Sequence, residues 1–150
     1  MIIEPLSLLD EIYPVLNRCD LPVSDISTSS PPRFFGFRDA GAVVATIGLE
    51  HFHAVGLVRS LAVVPGYRGQ GLAKELVAYV ESHATSLGVE SLYLLTTTAE
   101  AFFMKLGYRP ALREEAPAAI QASSQFSSVC PASAAFLSKR LEADPGAAAK

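Results

Sequence analysis

The most constraining stretch of this chain is one connection. Residues 57–64, Leu-Val-Arg-Ser-Leu-Ala-Val-Val, read as a strand that Pro65-Gly66 ends. Tyr67-Arg68-Gly69-Gln70-Gly71 follow, and then Gly71, Leu72, Leu76, Val77, Val80 and Ala84 make an apolar stripe of helical period. A strand therefore runs into a glycine-rich turn, and a helix starts inside that turn. The first amides of a helix have no intrahelical partner, and the helix dipole adds positive potential there. Gly69 and Gly71 let backbone approach a bulky anion with no Cβ in the way. Residues Arg68, Gly69, Gln70, Gly71, Leu72, Ala73 and Lys74 are thus expected to seat a phosphate or pyrophosphate, with Arg68 and Lys74 adding charge at the rim. The spacing is neither Gly-x-Gly-x-x-Gly nor a Walker loop, which disfavours a Rossmann cofactor or ATP. A ligand-free strand-to-helix turn is the alternative that glycine spacing alone leaves open.

The rest of the chain supplies a mixed sheet. Leu8, Leu9, Ile12, Tyr13 and Leu16 predict a first helix, with Pro14 implying a kink. Residues 21–32, rich in Ser, Pro and Asp, predict a loop. Strands are expected at 34–38 and 41–50 around an Asp39-Ala40-Gly41 turn, and the next hairpin should be centred near His53 and Ala54, setting Glu50 opposite Leu57. Leu87-Gly88 should stop the long helix, residues 92–95 form a doubly covered strand, and a short helix at 99–105 ends at Gly107. A helical insertion at 117–126 and a last strand at 134–141 complete the pattern. The class is α/β, an α+β mixed sheet. We expect one domain over residues 1–141 and a mobile tail at 142–150.

Composition narrows the function classes. Lys plus Arg number 12 against 15 Asp plus Glu, a formal charge of -3, which argues against a nucleic-acid binder. No apolar run approaches the ~18–20 residues of a membrane span, and the start does not read as a signal peptide. Cys19 and Cys130 stand far apart and read as reduced thiols in a cytoplasmic protein, not as a disulfide scaffold or zinc module. His51 and His53 have no third ligand in reach, so no metal is expected.

Arg68-x-x-Gly71-x-Ala73 after Leu61-Ala62-Val63 resembles the acetyl-CoA motif of the GNAT superfamily of N-acetyltransferases, and Leu106-Gly107-Tyr108 resembles its Leu-Gly-Phe/Tyr. The resemblance covers most of the chain. Residues 59–63, 94–103 and 130–134 are similar to the small N-acetyltransferases of arsenic-resistance operons, and the Leu-Thr-Thr segment to the acetyltransferase domain of N-acetylglutamate synthase. The resemblance implies a sheet splayed into a V, acetyl-CoA as co-substrate with no metal, and direct acetyl transfer to an amine. It implies pantetheine on the backbone of Leu61, Ala62 and Val63, pyrophosphate on amides of residues 69–74, and the Val63 N–H as oxyanion donor. The superfamily often forms homodimers.

Two departures matter. Many members carry a tyrosine acid where this chain has Phe103, and a glutamate base where it has Leu57. The acid is then either missing or supplied elsewhere, by Tyr93, a nearby threonine or water. Glu50 becomes the base candidate, acting through water, with an ordinary strand carboxylate as the alternative. Arg59, sharing strand parity with Leu57, Leu61 and Val63, is expected to grip an acceptor carboxylate, a salt bridge to Glu50 being the other outcome. Thr96, Thr97 and Thr98 offer hydroxyls to a substrate, or simply end a strand. Weak acid–base equipment suits an α-amine, which at pKa near 8 costs about 1 kcal/mol to deprotonate at pH 7, against over roughly 4 for lysine. The expected function is N-acetylation of a small amino acid or amino-acid-like amine. The rivals are a non-catalytic acyl-CoA-binding module and a protein N-terminal or lysine acetyltransferase.

Overall fold

The computed structural model describes residues 2–21, 23–24, 26, 31–123, 126 and 134–141. The expectations for the tail, for Cys130 and for residues 131–133 lie outside them. In chain order the elements are β1 (Glu4–Leu6), α1 (Leu9–Arg18), β2 (Arg33–Asp39), β3 (Ala42–Phe52), β4 (Val55–Val63), α2 (Leu72–Ser86), β5 (Ser91–Thr96), α3 (Glu100–Lys105), β6 (Arg109–Pro110), α4 (Ala118–Gln121) and β7 (Ala135–Arg140). The class is the expected mixed α/β one. Two compact units divide the chain, Met1–Glu50 with Val58–Ser82, and His51–Leu57 with His83–Lys150.

In the first unit the strands bond in the order β1-β2-β3-β4, and the β1–β2 and β2–β3 pairs are antiparallel. The turn joining β2 to β3 has positive φ at Ala40 (52°) and Gly41 (84°), a two-residue hairpin as the Asp39-Ala40-Gly41 chemistry predicts. Phe34 and Phe35 alternate across β2. Phe34 joins Ile12, Val15 and Leu16 of α1 in one core, together with Leu6, Ala62 and Val64. Phe35 turns the other way and meets the Tyr79 ring of α2 at 5.0 Å. The helices α1 and α2 therefore cover opposite faces of this half-sheet. Leu72, Leu76, Val77, Val80 and Ala84 of α2 are all buried as the stripe requires, whereas Gly71, expected at its head, is exposed and precedes the helix with φ 81°.

In the second unit β4 pairs parallel with β5 through Val55↔Ser91, Gly56↔Leu92 and Leu57↔Tyr93. The strand β5 also pairs antiparallel with β7, and β7 with β6. Leu57, Ile120 of α4 and Phe136 of β7 form its core with Ala116. The stop after α2 is a left-handed glycine: Gly88 has φ 86°, its N–H bonds the Thr85 carbonyl, and the Val89 N–H bonds that of Ala84.

Some expectations needed correction. Leu8 is extended and 60% exposed, the residue before α1 rather than part of its buried face. In the described residues the insertion at 117–126 is α-helical over Ala118–Gln121 and π-helical at Phe126, and the Ser123 hydroxyl donates to the Ile120 carbonyl at 2.6 Å, competing with a further α-helical turn. The strands β1 and β6 were not expected. They have three and two residues, each containing a proline tolerated only at a sheet edge.

Gly36 shows how tightly β2 is held. A Cβ there would lie 2.2 Å from the Ala45 carbonyl oxygen and 2.7 Å from Leu6 Cδ1. Gly36→Ala should therefore destabilise the protein by about 1–3 kcal/mol in urea unfolding, the range for overpacked sites. An unchanged midpoint would contradict this packing.

Candidate functional site

The site begins with a fault in β4. Gly48 of β3 lies opposite Arg59, since a Cβ on Gly48 would stand 3.2 Å from Arg59 Cγ. Further along, the Val64 N–H bonds the Val44 carbonyl at 2.9 Å. Between these two rungs β4 carries one residue more than β3, the definition of a β-bulge. The extra residue is Ser60, with φ 57°, left-handed for a residue with a side chain. Thr46, fully buried in β3, donates its hydroxyl to the Ser60 carbonyl at 2.9 Å.

The bulge corrects the expected parity. Arg59 shares the α1 face with Gly48 and Phe34, and beyond the bulge it is Ala62 and Val64 that join that core. Leu61 and Val63 alternate with them and so do not share a face with Arg59. The same shift orients the end of the strand. Because the Val64 N–H turns toward β3, the Val63 N–H and carbonyl turn away from it. The Val63 carbonyl is met by Arg68 Nε at 2.8 Å and by the free Cys19 thiol at 3.6 Å, and Arg68 Nη2 lies 3.7 Å from Cys19 Sγ. Arg68 is thus folded back on the strand end rather than standing at the rim of the turn. It satisfies a carbonyl that β3 does not.

After Val64 a short 3-10 turn, Pro65–Tyr67, leads into the glycine turn. The Tyr67 hydroxyl donates to Asp39 at 2.5 Å and pins this turn to the β2–β3 hairpin. That bond to a carboxylate raises the Tyr67 pKa above its ordinary value. Gly69 and Gly71 have φ of 80° and 81°. A Cβ on either would meet nothing within 4 Å, so glycine is required there by backbone conformation, and the space in front is open. Glu75 is the first residue to bond back, its N–H reaching the Gly71 carbonyl at 3.1 Å. The Gln70 N–H closes a turn over Arg68 and Gly69, and the amides of residues 69 and 71–74 have no backbone partner among the described residues. Gln70 and Lys74 are exposed, and Leu72 is buried beneath the turn.

Glu50 and Arg59 form an ion pair, with Arg59 Nη1 at 3.1 Å from Glu50 Oε2 and Arg59 Nε at 3.1 Å from Ser60 Oγ. The Arg59 side chain is 1% exposed and that of Glu50 21%, so the carboxylate is the accessible half. In the second unit Thr96 Oγ1 accepts from the Ala99 N–H at 2.9 Å and caps the approach to α3, while Thr97 and Thr98 are exposed. Phe103 is 4% exposed, its ring edge-on to Phe102 and Tyr108 at 5.1 and 5.4 Å. Tyr93 stacks on Phe136 at 5.7 Å. Among the described residues there is no group of three metal-ligating side chains, and no helix is long and apolar enough to cross a membrane. Sequence reasoning missed the bulge, Thr46 and the Arg68–Cys19–Val63 contact. A left-handed serine and a threonine inside an apolar strand leave no periodic signal.

A strand end turned away from its neighbour, followed by unpartnered amides at the head of a helix, has the geometry that can accept an anion. The family model for the acetyltransferase (GNAT) family matches residues 4–108, and the chain belongs to that family. The amino-acid acetyltransferases of Ectopseudomonas mendocina and Azotobacter vinelandii are each 39% identical to it over 64 residues, 43% of this chain. The chain matches only 15% of the length of those relatives. Among solved structures it is similar to N-acetylglutamate synthase from Neisseria gonorrhoeae in complex with coenzyme A and N-acetyl-glutamate, with a TM-score of 0.73, 18% identity, and coverage of 95% of this chain and 36% of that one. Rv2747 from Mycobacterium tuberculosis, in complex with coenzyme A, gives 0.72 at 17% identity, covering 95% of this chain and 100% of the other. At such identities these likenesses show the fold.

Proposed function

We propose that this chain is an acetyl-CoA-dependent N-acetyltransferase acting on the α-amine of a small amino acid or amino-acid-like acceptor. The observation that carries it is the run of unpartnered amides at residues 71–74, at the head of α2, behind a glycine turn that is open in front. Aligned amides and the helix dipole suit a pyrophosphate. Leu61, Ala62 and Val63 lead into that seat, and the Val63 N–H, turned away from β3, is the oxyanion donor. The amine lone pair attacks the thioester carbonyl, the C–N bond forms, and the C–S bond breaks as the oxyanion collapses. The amine proton passes to a base, and the thiolate leaves. With phenylalanine at 103, the thiolate departs unassisted or takes its proton from water. A thiol of pKa about 8.5 is a tolerable leaving group.

Glu50 is the base candidate, being the exposed half of its ion pair. Arg59 is the candidate partner of an acceptor carboxylate, by exchange: the incoming carboxylate takes the place of Glu50 on the guanidinium and releases Glu50 toward the amine. Thr96 and Thr97 are further candidates for acceptor contact. The amino-acid acetyltransferase relatives support this acceptor class. The likeness to arsenic-operon enzymes adds phosphorus and arsenic analogues of amino acids to the panel worth assaying.

Two measurements test this. Lys74→Glu places a carboxylate in the first turn of α2, where it favours the helix but repels a pyrophosphate. Calorimetry should show CoA affinity falling about tenfold or more, the effect of at least one lost charged contact, with the melting temperature unchanged. Equal affinity would remove the anion seat from the account. For the acceptor, a panel of amino acids and their decarboxylated amines is scored by CoA release. Wild type should prefer the acids, and Arg59→Ala should lose that preference by about 10- to 150-fold in KM. Arg59→Lys should not restore it, because an ammonium lacks the planar fork. A mutant that keeps the preference leaves Arg59 as an ion-pair partner of Glu50 alone. CoA bound without release across the whole panel would favour a non-catalytic binding module.

A further inference from the structure

We infer that Thr46 is a positioning residue for the acyl-CoA, through a lock on the register of β4; the inference rests on the function proposed above. Its buried hydroxyl holds the Ser60 carbonyl at 2.9 Å, and Ser60 is the extra residue of the bulge. A left-handed φ of 57° at a serine costs energy and persists only where surrounding bonds over-determine it.

The alternative to the bulge is a regular hairpin continued from the Gly48–Arg59 rung. In that register Val63, not Val64, would bond the Val44 carbonyl. The Val63 N–H would be spent inside the sheet, and the Val64 N–H would turn outward. Slippage by one residue also exchanges the two faces of a strand. Here the exchange would bring Leu61 and Val63 into the α1 core in place of Ala62 and Val64. Both sets are apolar, so burial alone discriminates weakly between the registers. The Thr46–Ser60 bond exists only in the bulged one. A single buried hydroxyl thus selects the register in which the end of β4 presents a free N–H. Thr46 never touches the co-substrate; it acts through Ser60 and the strand direction.

The test uses the isosteric pair Thr46→Val, which removes the O–H, and Thr46→Ser, which keeps it. The direct readout is amide hydrogen exchange at two neighbouring residues. In wild type the Val64 amide should exchange slowly and the Val63 amide fast. Thr46→Val should narrow that difference at least about tenfold, and Thr46→Ser should keep it. The functional readout is kcat/KM for acetyl-CoA, expected to fall at least about tenfold in Thr46→Val, since removing an oxyanion donor costs 100-fold or more, and to recover in Thr46→Ser. Ser60→Gly removes the cost of the left-handed φ, so in the Thr46→Val background it should restore the exchange pattern and guard against simple misfolding. Wild-type exchange in Thr46→Val overturns the lock. A changed exchange pattern with unchanged kcat/KM overturns its link to the co-substrate. A wild type that neither binds CoA nor turns it over indicts the proposed function instead, and the exchange arm still decides the lock.

Discussion

One extra residue in β4 determines which backbone groups the end of that strand leaves outside its pairing with β3. With Ser60 bulged, Ala62 and Val64 fill the core over α1, and the Val63 N–H and carbonyl turn away from β3. Without it the same apolar strand would close on itself as an ordinary hairpin. The bulge is held by a hydroxyl–carbonyl bond at 2.9 Å from the fully buried Thr46 to the half-buried Ser60. It also places Arg59 just before the irregularity, bonded at once to Glu50 and to Ser60 Oγ. The ion pair and the bulge therefore share one side chain, and a change at either is felt at the other.

The glycine turn adds the second half of the site. With positive φ at Gly69 and Gly71, the amides of residues 71–74 at the head of α2 have no backbone partner among the described residues. The turn is anchored from below by buried Leu72 and from the side by the Tyr67–Asp39 bond. Arg68 spends its guanidinium on the Val63 carbonyl. The charge near the seat accordingly comes from the amides, the dipole and Lys74. All of these elements lie in the first compact unit, so the proposed oxyanion donor at Val63, the proposed anion seat, Glu50 and Arg59 are built on one half-sheet.

Much of this was legible in the sequence because it rests on period and on glycine. The stripe from Leu72 to Ala84, the left-handed stop at Gly88, the Asp39-Ala40-Gly41 turn and the glycine turn at 69–71 all follow local rules, and the structure has them where those rules put them. The ion pair of Arg59 with Glu50 stood among the alternatives from hairpin register. What escaped were features without period. A bulge inserts one residue and defeats any parity argument carried past it, which is why Arg59 was set on one face with Leu61 and Val63. The strands β1 and β6 are too short for alternation to show, and the end of α4 depends on one serine hydroxyl. Sequence puts Arg68 at the rim of the turn because it does not reveal which carbonyl lacks a partner.

A ¹⁵N–¹H correlation spectrum of the backbone amides, recorded while acetyl-CoA is added, tests the proposed site most directly. The amides of residues 69–74 and of Val63 should shift together and saturate with one affinity. Inorganic pyrophosphate should move the 69–74 set and leave Val63 in place. Saturable binding of acetyl-CoA with all seven amides unmoved would contradict the site described for this chain.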